Sequence, residues 1–141
     1  MKVPFVSPLF ALILLSLPAH AYAHDSIDLT PARWIPTGSY AGNAASFTVD
    51  VRSARFDLPC AYGQLPRRPV LDEEGRFTME GIYASRILTP APQAKFPATF
   101  RGRLAGLQLW LQIDVHGPGS DEHLSYGPLE LGQSARFFRC L

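Results

Sequence analysis

The chain has 141 residues, 47% hydrophobic and 18% charged, with 13 basic against 12 acidic side chains and a formal net charge of +1. That length suits one domain with a modest core. A charge so close to balance excludes recruitment to nucleic acid or to an anionic membrane by bulk electrostatics.

The first element is a leader. Lys2 provides a positive start, residues 5–17 form an apolar run broken only by Ser and Pro, and Pro18 precedes two small-x-small triplets, Ala19-His20-Ala21 and Ala21-Tyr22-Ala23. This is the layout of a secretory signal peptide over residues 1–23, with cleavage after Ala21 or Ala23. The run falls short of the roughly 20 apolar residues a membrane span requires. The mature protein is therefore expected to carry no membrane span and to be periplasmic or secreted. Cleavage after Ala23 leaves 141 − 23 = 118 residues, 24–141, as a single all-β domain with 12 basic and 12 acidic side chains.

The mature chain would then begin with His24, whose amine and ring nitrogen together suit Cu(II), with His116 or His123 as a further ligand. Copper is the one cofactor this suggests. A solvated terminus is the ordinary alternative.

Strand signals follow. Phe47, Val49 and Val51 share one face, and after Arg52-Ser53 so do Phe56, Leu58 and Cys60, which would set Cys60 among apolar neighbours. Asp72-Glu73-Glu74-Gly75 reads as a turn, behind which Phe77, Met79, Gly81 and Tyr83 alternate with Thr78, Glu80 and Ile82. Residues 85–97 hold three prolines and read as an external loop or lid. The clearest unit is a hairpin over 98–115. Ala98, Phe100, Gly102 and Leu104 alternate with polar residues, Ala105-Gly106 makes the break, and Leu107, Leu109, Leu111, Ile113 and Val115 continue the apolar face. Residues 116–123 read as a solvated loop rather than a calcium site, because its oxygen ligands lack regular spacing. Leu129 with Leu131, and then 137–141, give two short strands. About eight strands without a helical pattern predict a small antiparallel up-and-down barrel, with a β-sandwich as the alternative. Closure favours the barrel because it removes exposed edges.

Cys60 and Cys140 are the only two cysteines. In an exported chain, with no second Cys at metal or redox spacing, they are expected to form a disulfide. Closing a loop of 140 − 60 = 80 residues stabilises by roughly 4–5 kcal/mol in the chain-entropy model. Such a bridge would tie the last strand to an early one. A nucleophilic Cys60 would need His and acid partners that no local motif supplies.

The stretches Pro59-Cys60-Ala61-Tyr62-Gly63-Gln64-Leu65, Gly75-Arg76-Phe77 with Gly81-Ile82-Tyr83, Pro97-Ala98-Thr99-Phe100-Arg101-Gly102 and Phe138-Arg139-Cys140-Leu141 occur in that order within residues 56–141. Together they resemble a group of small exported bacterial all-β proteins. In that group a Cys-Ala-x-Gly element commonly follows an acidic residue, a Gly-Arg-Phe strand begins after an acidic turn, and the chain stops one residue after a basic-Cys pair. Here Leu58-Pro59 stands where the acidic residue is expected. The resemblance implies paired cysteines and an all-β domain, and it implies no activity.

No Ser-centred nucleophile turn, His-Glu-x-x-His or Gly-rich phosphate loop is present. A non-catalytic role is therefore expected. Gln108, Trp110 and Gln112 project from the polar face of the 107–116 strand beside Asp114, and an aromatic flanked by amides can stack on a sugar or anchor a protein. With Tyr83, these are the candidate ligand-binding residues. The expected partner is a small apolar or glycan ligand, or an envelope protein, held by the barrel mouth, the 85–97 loop and Trp110.

Overall fold

A computed structural model describes residues 33–42, 44–86, 93–138 and Cys140. Ten strands occur among them: β1 (Arg33–Trp34), β2 (Gly38–Gly42), β3 (Ala45–Val49), β4 (Ala54–Asp57), β5 (Ala61–Leu65), β6 (Val70–Leu71), β7 (Arg76–Ser85), β8 (Lys95–Ala105), β9 (Gln108–His116) and β10 (Asp121–Leu131). There is no helix among the described residues. Eight strands close an antiparallel barrel in the order β10-β2-β3-β4-β5-β7-β8-β9, and β1 pairs with β6 in a separate two-stranded sheet. The protein is thus the all-β up-and-down barrel that the alternation predicts. The leader and His24 lie outside the described residues, as does most of the proline-rich stretch after β7.

The period of two dictates which side chains fill the barrel. Eight strands enclose an interior just wide enough for side chains. Following paired residues around the wall from Leu131 gives Tyr40, Phe47, Phe56, Gly63, Tyr83 and Phe96, a staggered row that is aromatic at five of its seven positions. Glycine interrupts the row because Phe100 needs the room. A Cβ at Gly63 would stand 2.6 Å from Phe100 Cζ, and one at Gly81 would stand 3.0 Å from Phe100 Cε2. Tyr40, Phe47, Phe56 and Phe100 are fully buried, each worth about 1.5–3 kcal/mol of transfer free energy.

The connections define two ends. At the upper end lie the β2–β3, β4–β5, β7–β8 and β9–β10 connections, and at the lower end lie the β3–β4 and β8–β9 turns and the end of β10. The Asp72–Gly75 turn is held by its own chemistry. Asp72 Oδ1 accepts from the backbone N–H of Glu74 (3.0 Å) and of Arg76 (2.8 Å), and the Arg76 N–H bond is the main reason its carboxyl sits below the usual range.

Several sequence expectations change. Cys60 and Cys140 are bonded, with Cα atoms 5.2 Å apart, but Cys60 lies exposed in the β4–β5 turn instead of in an apolar strand. Residues 133–138 form no strand, so the bridge joins a C-terminal tail to that turn rather than strand to strand. Val51 is 76% exposed and Leu107 59% exposed, because both fall in turns where the strand alternation has ended. The 85–97 loop is shorter than expected, since β8 already begins at Lys95. Asp121, Glu122 and His123 belong to β10 and not to a loop.

Candidate functional site

The outer wall at the lower end carries an open groove of about 910 Å³. Its floor is a grid of three strands, set by register. Arg76 pairs with Arg103 and Arg103 with Trp110; one row higher, Thr78 pairs with Arg101 and Arg101 with Gln112. All six side chains line the groove, with Val70 and Leu71 of β6 at its edge. Trp110 is 38% exposed. Its position is fixed from the other side by Gly127, at the bulge between Tyr126 and Leu129, where a Cβ would approach Trp110 Cδ1 to 2.8 Å.

The three arginines are not equivalent. Arg76 bonds Glu74 at 2.9 Å and Asp72 at 3.3 Å, and these partners, Glu74 first, hold it more firmly protonated than usual. Arg101 bonds Asp114. Arg103 makes no ion pair among the described residues, and its guanidinium carbon lies 5.9 Å from the centroid of the Trp110 ring. Among the described residues the groove therefore offers one uncommitted cation beside one exposed indole, framed by an amide and a hydroxyl.

Of the expected binding residues, Trp110 and Gln112 line the groove, while Gln108 is exposed beside it, next to the β8–β9 turn. Tyr83 is not brought to them. It points into the barrel at the upper end, opposite Phe96 and Gly63. The β7–β8 connection leaves from that same end, beyond the Ala98 and Val115 pair. Trp110 lies 115 − 110 = 5 residues below that pair, roughly 17 Å of strand.

His116 and His123 sit on the outer wall higher up, each engaged by its cross-strand partner. His123 Nδ1 is 2.6 Å from Asp114 Oδ1, and His116 Nδ1 is 3.5 Å from Asp121 Oδ1. The Thr99 hydroxyl donates to Glu80 at 2.9 Å, so its oxygen accepts from His116 Nε2–H at 3.0 Å. That direction is the reverse of a hydroxyl handing its proton to an imidazole, as nucleophilic activation requires. Among the described residues no group of three or more His, Cys, Asp or Glu is gathered as a metal would need. The copper expectation rests on His24, outside those residues.

The arginines are what sequence reasoning missed. Arg101 and Arg103 were visible as the polar partners of Phe100 and Gly102, but only the tight turn at Gly106-Leu107 aligns Arg103 with Trp110.

Fold and site together define a closed eight-stranded barrel with a filled interior and a cationic, aromatic groove on its outer wall. No family model matches the chain, and no curated protein or solved structure matches it.

Proposed function

We propose that the protein is a non-catalytic binding protein of the periplasm or secreted space, and that the β7–β9 groove takes a carbohydrate chain. The observation that carries this reading is the exposed Trp110 ring with Arg103 beside it and Thr78, Arg101 and Gln112 in register one row away. A sugar presents an apolar C–H face and a rim of hydroxyls, which match an indole flanked by amide and guanidinium donors. An open groove across three strands also accepts an extended chain. The leader-like first 23 residues support the compartment.

The test is a glycan array probed with the labelled mature protein and with Trp110→Ala and Arg103→Gln. Bound glycans should vanish with Trp110→Ala and weaken with Arg103→Gln. Array binding that is indifferent to Trp110, or no binding at all, removes the glycan reading. Trp110-dependent retention of an envelope protein in its place would assign the groove to a protein ligand.

A further inference from the structure

The upper mouth of the barrel holds a small cavity, of about 160 Å³, remote from the groove. It is lined by Tyr83, Phe96, Val115 and Glu122, among others. Glu122 is the unexpected member. It pairs with Val115, an interior position only 4% exposed, and so occupies the inward register of β10 together with Leu124 and Tyr126. At the mouth its side chain is exposed, so a ligand entering there meets a carboxylate. Glu122 forms no ion pair among the described residues.

We propose that this mouth is a binding site for an alkylated ammonium group, with Glu122 as the counter-charge and the Tyr83 and Phe96 rings as cation–π walls. Aromatic rings beside a carboxylate favour a cation with an apolar surface over a hydrated metal ion, because the rings cannot replace a metal's oxygen ligands. One carboxylate also matches one positive charge. Size points the same way: about 160 Å³ equals the liquid volume of roughly five waters, enough for a methylated ammonium head and too little for a long chain. The closeness of the groups is seen in Tyr83, whose hydroxyl is pushed up to about 12 by burial first and then by the neighbouring Tyr126 and Glu122. Ser85 and Ser120 at the rim leave room for a hydroxyl on the ligand, as in a choline-like molecule.

The experiment titrates the mature protein with tetramethylammonium chloride and choline chloride by calorimetry and ligand-observed NMR, against sodium chloride at equal ionic strength. Both ammonium salts should bind saturably and sodium should not compete. Glu122→Gln should weaken binding roughly tenfold or more, with an unchanged circular dichroism spectrum confirming the fold. Tyr83→Phe keeps the ring and should retain binding. Absence of saturable binding, or equal affinity in Glu122→Gln, overturns the site. Loss of binding in Tyr83→Phe would overturn the role of the ring, because it would assign recognition to the hydroxyl.

Discussion

Phe77 and Gly102 face each other across the β7–β8 ladder, and the phenyl ring fills the place a side chain at 102 would take. A Cβ there would stand 2.0 Å from Phe77 Cε1. Backbone freedom is not the reason for this glycine; space is. Gly102→Ala should therefore cost about 1–3 kcal/mol by overpacking, read as a lower urea midpoint at unchanged slope. Gly102→Ala combined with Phe77→Leu should recover part of that loss, since the smaller residue vacates the contact. A Gly102→Ala variant as stable as the parent would contradict the packing.

The disulfide makes a different kind of prediction, because what it holds is a tail. Residues 133–138 form no strand, and the barrel closes upstream of them through the Tyr40 to Leu131 and Ala41 to Glu130 pairs. Reduction, or Cys60→Ser with Cys140→Ser, should lower stability by about 2–5 kcal/mol through the released 80-residue loop. It should also free the tail from the β4–β5 turn. Trypsin is then expected to cut at Arg136 before any barrel strand, while near-UV dichroism persists. Simultaneous loss of barrel and tail signals would show that closure depends on the bridge.

How much of this was legible in the sequence depends on whether side chains kept the period of two. The 98–115 hairpin kept it and was readable, and with it the outward placement of Trp110 and Gln112. β10 was harder to read. Glu122 takes an inward register position yet is exposed at the mouth, as its charge suggests, and the Gly127-Pro128 bulge breaks the alternation before Leu129. The tail misled in the opposite sense: Phe137 and Phe138 look like a buried strand and are exposed, 138 most of all at 79%. The candidate groove was half visible for a related reason. Alternation places a residue on a face, but only register says that Arg76, Arg103 and Trp110 stand in one row.

Register also separates the two neighbouring arginines of β8. Arg101 is held by Asp114, which also accepts His123, whereas Arg103 has no acidic partner among the described residues. Arg103→Gln should leave stability within about 0.5 kcal/mol of the parent. Asp114→Asn releases two partners at once and should cost about 1 kcal/mol, the upper range for exposed pairs. Urea midpoints of the two variants check this ordering, and a larger loss for Arg103→Gln would mean that its place over Trp110 is structural.

The barrel's tyrosines predict where it fails in alkali. Tyr83 is raised to about 12 by burial, with Tyr126 and Glu122 adding to it. Burial raises Tyr126 and Tyr40 as well, offset in Tyr40 by the Arg68 charge. An unfolded tyrosine ionises near 10. Between these values the unfolded chain has lost protons that the folded one retains, so stability must fall as pH rises. The tyrosine contribution should be intact below about pH 10 and decline progressively toward about pH 12. Tyr83→Phe removes one of these protons while keeping the ring against the Phe96 side of the wall. Its stability should fall less steeply over that window than the parent's, measured as urea midpoints at successive pH values beside tyrosinate absorbance. Equal slopes in the two proteins would mean that Tyr83 ionises as freely in the folded barrel as in the unfolded chain, and that the upper mouth is open to water.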